Sequence, residues 1–148
     1  MKNTMNYITL EFLSRSSNEA FARTAVACFA AQMDPTLGEL EDIKTAVSEA
    51  VTNAIVHGYP NVLGKVLVKA KICEGNVLEV SVKDRGRGIP DVEKARQPMF
   101  TTGGEERSGM GFTIMESFMD HIAVKSVPGK GTTVTLRKKL APRRRQTA

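Results

Sequence analysis

Glu49, Asn53 and His57 follow one another at steps of four residues, in a segment whose apolar residues recur at helical spacing. That spacing places the three side chains on one stripe of a helix. Asn is a poor helix former, so its position inside a helix suggests a partner for its amide oxygen. Magnesium prefers oxygen ligands and keeps several waters, so Asn53 and phosphate oxygens could hold it. Glu49 could accept the proton of an attacking hydroxyl. Taken alone, the stripe also fits an ordinary solvated helix face.

A second polar group is the run Asp84-Arg85-Gly86-Arg87-Gly88, which directly follows a predicted strand. An Asp at a strand end can accept a hydrogen bond from an exocyclic amine such as that of adenine. The two glycines allow a ligand or another backbone to approach closely. The same pattern also occurs in plain turns, so its weight comes from its neighbours in the chain.

A third group, Ser108-Gly109-Met110-Gly111, opens a predicted helix at Phe112–Met119. Free N–H groups and the helix dipole make a glycine-rich helix start a natural phosphate site. A flexible linker before a helix is the equally good alternative for this segment alone. The order of all three groups, with a long polar loop between the last two, is what makes the combination specific.

The rest of the chain predicts the elements that position these groups. Alternating apolar residues predict strands, two pairs of them joined as hairpins, at Tyr7–Phe12, Val66–Ile72, Leu78–Val82, Ile122–Val127 and Thr132–Arg137. A capping-box spacing of Ser16 and Glu19 predicts the start of one helix. A second helix is predicted to start at Asp34-Pro35 and run to about Ile55, with Gly58 as a left-handed cap, and a short helical stretch covers 91–97. We therefore predict an α+β fold, a two-layer α/β sandwich whose mostly antiparallel sheet is covered by helices on one face.

The length and composition fit one globular domain with a short basic segment at its C-terminus. The chain has 148 residues, 41% of them hydrophobic and 25% charged, and we predict one domain over 1–140 and a basic, disordered tail over 141–148. Six of the 21 basic residues and none of the 16 acidic ones lie in 137–148, so the net charge of +5 becomes −1 without that segment. We therefore expect no direct nucleic-acid binding and no membrane binding. Cys28 and Cys73 are expected to be buried, reduced thiols, and the protein cytoplasmic.

These motifs resemble the ATP-binding domain shared by gyrase, heat-shock chaperones, histidine kinases and the mismatch-repair protein MutL, known as the Bergerat or GHKL fold. The likeness covers roughly residues 8–137 and lies in Glu49-Ala50-Val51-Thr52-Asn53, Asp84-x-Gly86-x-Gly88, Gly109-x-Gly111 and Gly129-Lys130-Gly131-Thr132-Thr133. Within that family, Phe100-Thr101-Thr102 and Glu106–Phe112 are most similar to the sporulation anti-sigma factors that are serine kinases.

This resemblance implies that the protein binds ATP or ADP with Mg²⁺, captures a sporulation sigma factor, and phosphorylates a serine on an anti-anti-sigma protein, as a homodimer. It implies roles for single residues as well: Asn53 for magnesium, Glu49 as the base, and Asp84 for the adenine amine, with Thr133 through a water. Further implied contacts are Gly86 and Gly88 at the base, Arg107 at the γ-phosphate, and a lid that includes Thr101, Thr102, Ser108, Gly109, Met110 and Gly111. A lysine common after the Phe-Thr-Thr segment is replaced by Gly103-Gly104, which leaves Arg107 as the cation of the lid.

A separate hypothesis places Glu19 and Arg23, on the first helix, in a partner-binding surface. An ordinary ion pair at i, i+4 explains the same two residues slightly better. Two other functions stay open: a nucleotide-gated binding module without phosphate transfer, and an ATPase half of a larger machine. A methyltransferase is a weaker alternative, because it would need alternating parallel strands and helices where the sequence predicts hairpins.

Overall fold

A computed structural model describes residues 3–89, 91–96 and 111–141. The helices and strands of these residues follow one another along the chain as β1 (Thr4–Leu13), α1 (Ser17–Ala30), a 3₁₀ turn (Ala31–Met33), α2 (Leu37–Asn53), a π-helical turn (Ala54–Gly58), β2 (Lys65–Cys73), β3 (Val77–Asp84), α3 (Val92–Ala95), α4 (Gly111–Phe118), β4 (His121–Val127) and β5 (Gly131–Lys139). Among the helices of this part of the chain, none is both long and apolar enough to cross a membrane.

The described strands form a single antiparallel sheet in the order β1-β2-β3-β5-β4. The sheet arises from period-two patterning: on β2, Val66, Val68 and Ala70 are fully buried, while the alternate residues Lys65, Leu67, Lys69 and Lys71 lie on the other face. Helices cover the buried face. The predicted α+β two-layer sandwich is therefore confirmed, and both predicted hairpins are present.

The core lies between this face and the apolar stripe of α2. Ile43, Val47 and Val51 recur at a spacing of four and are fully buried, as is Leu136 on β5. Burial of each such side chain contributes about 1.5–3 kcal/mol. This packing fixes the rotation of α2, so its polar stripe must point away from the sheet centre and toward α4, which packs on α2.

The start of α2 differs from the prediction. The N-cap is Thr36, whose hydroxyl accepts from the Glu39 N–H at 3.0 Å while the Glu39 carboxylate accepts from the Thr36 N–H at 2.9 Å. Asp34 instead takes a left-handed conformation with φ of 55°. A complete capping box satisfies two free N–H groups, whereas an Asp34 cap would satisfy one.

The start of α1 also differs. Ser16 already has helical dihedral angles and makes no side-chain capping hydrogen bond. A capping box needs an extended N-cap residue, so the Ser16–Glu19 spacing does not form one here.

A π-helical turn, Ala54–Gly58, continues α2 beyond Asn53. The predicted left-handed cap at Gly58 is absent, since the described glycines with positive φ are Gly75, Gly88, Gly129 and Gly131. Wide turns of this kind are rare and often occur at functional sites. This turn changes the angle around the helix axis between Asn53 and His57, and it places Gly58 against β3.

The basic residues Arg137–Lys139 of the segment 137–148 belong to β5, within the predicted domain. Arg137 pairs with Glu79 on β3 at 2.7 Å. Lys138 reaches Asp42 on α2 at 3.5 Å and donates to the carbonyl of Phe118 at 2.8 Å. Half of the basic segment is therefore part of the folded domain.

Candidate functional site

Glu49 and Asn53 meet the first residue of α4. A Cβ atom built on Gly111 would lie 3.3 Å from Asn53 Oδ1, 3.3 Å from Glu49 Oε2 and 3.4 Å from Asn53 Nδ2. Both side chains are partly buried. The last turns of α2 and the N-terminus of α4 thus bring a carboxylate, an amide oxygen and a helix start together, as the sequence motifs predicted for these three residues.

Asp84 lies at the end of β3 and is 5% exposed. Its carboxylate fills the space beside Gly58, where an added Cβ would lie 2.8 Å from Asp84 Cγ. Its Oδ1 accepts from the Gly86 N–H at 2.9 Å. Burial raises the pKa of the Asp84 carboxyl above its usual value, while the backbone N–H groups of Gly86 and Thr132 lower that pKa. A buried carboxylate held in this way can accept hydrogen bonds from a ligand.

The Asp84–Gly88 turn is attached to the end of α2. The N–H of Arg87 donates to the Gly58 carbonyl at 3.0 Å, and Arg87 Nε donates to the His57 carbonyl at 2.9 Å. The N–H of Arg85 donates to the Tyr59 hydroxyl at 2.7 Å. These contacts fix Asp84 relative to Asn53, because Gly58 is only five residues further along the same helical segment.

The hairpin of β4 and β5 holds the other side of this turn. The N–H of Gly129 donates to the Arg87 carbonyl at 2.7 Å, and the N–H of Ile89 donates to Ser126 Oγ at 2.7 Å. Gly88 has φ of 76°, and a Cβ there would meet the Val127 carbonyl oxygen at 2.3 Å. The predicted need for glycine at this position is therefore both conformational and steric.

Thr132 and Thr133 lie on opposite faces of the sheet. Thr132 is directly opposite Asp84 and is 7% exposed, whereas Thr133 is opposite Lys83 and Lys125. Directly opposed residues of an antiparallel pair point to the same face. The structure thus brings Thr132, whose hydroxyl is 2.7 Å from Ser126 Oγ, to the Asp84 side, and does not bring Thr133 there.

Sequence reasoning missed Thr132, Gly58 and Ser126. For Thr132 a signal was available, since it lies two and four residues before Val134 and Leu136, and alternate residues of a strand share one face. No comparable pattern marks Gly58 or Ser126, because their roles depend on which strands and helices become neighbours.

The predicted lid residues Thr101, Thr102, Arg107, Ser108, Gly109 and Met110 lie outside the described residues. Their roles at the phosphates stay predictions. Of the predicted helix start, the structure describes Gly111 alone.

Glu19 and Arg23 form an ion pair on α1, with Arg23 Nε 3.5 Å from Glu19 Oε2. In the described part of the chain these two atoms are buried and have no hydrogen-bond partner. The pair is the i, i+4 contact that the sequence allowed.

Comparisons with known proteins agree with this geometry. A family model described as the histidine kinase-like ATPase domain matches residues 13–138. A protein named anti-sigma F factor from Thermoanaerobacter sp. (strain X514) is 60% identical over 134 residues, which cover 90% of this chain and 93% of that protein. The chain belongs to the anti-sigma F factor family, within the histidine kinase-like ATPase domains.

Solved structures show that this family's fold is shared more widely. The RsbU and RsbW domains of a Mycobacterium tuberculosis protein align with a TM-score of 0.66 at 22% identity, over 92% of this chain and 32% of that one. Full-length ShkA in complex with AMPPNP aligns with a TM-score of 0.57 at 19% identity, over 85% of this chain and 30% of that one. At such identities the likeness concerns the fold alone.

Proposed function

We propose that the protein is a cytoplasmic anti-sigma factor that binds a sporulation sigma factor and uses Mg-ATP to phosphorylate a serine on an anti-anti-sigma partner. The observation that carries this proposal is the convergence of Glu49 and Asn53 on Gly111, together with the contact of the buried Asp84 with Gly58, five residues after Asn53. The anti-sigma part is supported by the name of the relatives, at up to 60% identity.

At one end of the site, Asp84 accepts a hydrogen bond from the exocyclic amine of adenine. Thr132, rather than Thr133, supplies the hydroxyl beside it, directly or through a water. Gly86 and Gly88 let the turn after Asp84 pack closely on Gly58 and Val127, because a Cβ at either position would meet backbone atoms there, and this packing holds Asp84 in place for the base.

At the other end, Asn53 Oδ1 and the nucleotide's phosphate oxygens would hold magnesium. The position of Gly111 supports this assignment, since a Cβ there would lie 3.3 Å from both Asn53 Oδ1 and Glu49 Oε2, so both oxygens reach the start of α4. Free N–H groups of that helix start, together with Arg107, neutralise the phosphates. Bound magnesium supplies further charge neutralisation.

Glu49 acts as the base for the transfer. Its carboxylate accepts the proton of the partner's serine hydroxyl while the serine oxygen bonds to the γ-phosphorus. The bond from that phosphorus to the bridging oxygen breaks, and ADP leaves with the electron pair.

The test of this function is incubation of the protein with labelled Mg-ATP and the anti-anti-sigma protein of the same organism. We expect labelled phosphoprotein. Free phosphate instead would indicate an ATPase, and unchanged ATP would indicate a nucleotide-gated binding module. Either result would remove the kinase assignment.

Asp84→Asn should weaken ADP binding by about 2 kcal/mol, or thirtyfold, because a charged acceptor is replaced by a neutral one. Since burial raises the pKa of Asp84, ionised Asp84 costs stability as pH rises through that pKa. The variant should therefore unfold at the same or a higher temperature at pH 7.

Titration calorimetry and thermal melts across pH check both effects. The affinity ratio of wild type to variant should shrink as pH falls through the raised pKa. Equal ADP affinities at pH 7 would show that Asp84 does not bind the base.

Thr132→Val should weaken ADP binding about tenfold, the value of one hydrogen bond near the upper end of its usual range. Thr133→Val is the matched control, since it makes the same change one residue away on the opposite face of the sheet. It should change the affinity by less than twofold. A larger loss of ADP affinity in Thr133→Val than in Thr132→Val would show that Thr133, and not Thr132, contacts the nucleotide.

The partner surface includes Glu19 and Arg23 on α1. A helical i, i+4 pair contributes only about 0.2–0.5 kcal/mol to stability, so Arg23→Glu should leave the fold intact and weaken binding of sigma factor and anti-anti-sigma protein. Binding of both partners at wild-type affinity would exclude Arg23 from docking.

Homodimer formation completes the proposal. β1 is an edge strand of the described sheet, with Met5 71% and Tyr7 59% exposed, and such an edge can pair with a second copy. Sedimentation of the purified protein tests this point, and a monomer at micromolar concentration would contradict it.

A further inference from the structure

A cleft of about 840 Å³ lies between the β1–α1 turn and the segment that joins α2 to β2. Its walls include Arg15, Tyr59, Leu63 and Arg87, and they include none of Glu49, Asn53, Asp84 or Gly111. The cleft is therefore separate from the proposed nucleotide contacts, although Arg87 belongs to the turn that follows Asp84.

The two walls of the cleft are tied together by hydrogen bonds. The N–H of Ser14 donates to the Gly64 carbonyl at 2.8 Å, and the N–H of Gly64 donates to Ser14 Oγ at 2.9 Å. Ser14 is 6% exposed. The Tyr59 hydroxyl donates to the Lys65 carbonyl at 2.7 Å and accepts from the Arg85 N–H. The cleft is thus formed before any ligand enters, which lowers the entropic cost of binding.

Its surface combines apolar side chains with positive charge. Val62 and Leu63 are 61% and 53% exposed at its edge, and Ile55 and Val56 line it as well. The charged residues of the lining are Arg15 and Arg87, with no Asp or Glu among them. Exposed apolar side chains next to cations fit an occupant that is both apolar and acidic.

We infer that this cleft binds an acidic, partly apolar segment of the sigma factor, an inference that rests on the proposed anti-sigma function. A small anion would contact the arginines and leave Val62 and Leu63 exposed, whereas a polypeptide segment covers both. Ser17, the first residue of α1, lines the cleft. The cleft therefore lies at the N-terminal end of the helix that carries Glu19 and Arg23.

The test measures binding of purified sigma F of the same organism by titration calorimetry, with ADP present. Arg15→Glu and Leu63→Asp should each weaken binding about tenfold or more, as expected for a charge or an apolar anchor inside an interface. The matched controls are Lys125→Glu and Val127→Asp, which change an exposed lysine and a 53%-exposed valine on β4. Both controls should bind within twofold of wild type.

The outcomes separate the cleft from the function. Wild-type protein that does not bind sigma F would remove the anti-sigma function, and the inference with it. If the wild-type protein binds sigma F and both cleft variants bind it equally well, the inference about the cleft is wrong and the anti-sigma function stands. A loss confined to Arg15→Glu would show that no apolar segment enters, and would overturn the inference too. ADP affinity reports that each variant is folded, and Val62→Asp replaces Leu63→Asp if that variant does not fold.

Discussion

Glu49→Gln should lower phosphoryl transfer to the anti-anti-sigma protein by a factor of about 10² to 10⁴, the usual contribution of a positioned base. The change keeps the shape of the side chain and its position beside Gly111, 3.3 Å from the Cβ that this residue lacks. It removes the basicity that the step needs. ADP binding should stay within a few-fold of wild type, because magnesium and adenine are assigned to other residues. Single-turnover transfer from labelled ATP measures the rate.

Glu41→Gln is the control for this experiment. Glu41 is exposed on the same helix and pairs with Lys44 at 3.5 Å on the surface, so its replacement should leave the transfer rate unchanged. Near-normal transfer by Glu49→Gln would remove Glu49 from the mechanism, while the nucleotide-binding assignments would stand on their own measurements.

Gly86→Ala should lower the free energy of unfolding by about 3 kcal/mol. The new Cβ would lie 1.9 Å from the carbonyl oxygen of Gly58, so the turn and the end of α2 must move apart. That movement breaks the hydrogen bond from the Arg87 N–H to the same oxygen, which is 3.0 Å long. Overpacking and a lost buried hydrogen bond each cost about 1–3 kcal/mol.

Thermal melts followed by circular dichroism check this stability prediction, and calorimetry should show weaker ADP binding as well. For a chain of this size, about 3 kcal/mol corresponds to a fall of roughly 10 °C in Tm. Gly38→Ala is the matched control: its Cβ would have 3.9 Å to the nearest atom, Thr36 Oγ1, so it should raise stability by about 0.5–1 kcal/mol. A Gly86→Ala melt within 2 °C of wild type would mean that the turn tolerates a side chain.

Local patterns in the sequence predicted most of the fold. Alternation at Val66, Val68 and Ala70 identified β2, and the spacing of Ile43 and Val47 identified the buried face of α2. These patterns suffice because burial imposes a period of two or 3.6 residues on any chain that forms such elements.

Helix ends were harder to predict because several residues compete for the same role. Asp34 and Thr36 are both good N-cap residues, and the reciprocal bond with Glu39 decides for Thr36. The π-helical turn could not be read from the sequence. It brings Gly58 next to Asp84, a residue 26 positions later, and this contact depends on the sheet already being formed.

The closeness of Glu49 and Asn53 to one another was predicted because both residues lie within one motif. The residue that lies beside Asp84 was not predicted, because two strands must first pair to bring it there. The choice between Thr132 and Thr133 depends on which of them lies opposite Asp84, and a shift of one residue in that register exchanges the two faces.

The position of Arg137–Lys139 within β5 determines how the protein would behave if its end were trimmed. Removal of residues 142–148 takes away three arginines and no acid, so the net charge falls from +5 to +2 and does not become negative. A chain clipped there by a protease should still bind a cation-exchange column at neutral pH and elute earlier than the intact chain, which gives a simple way to separate the two forms.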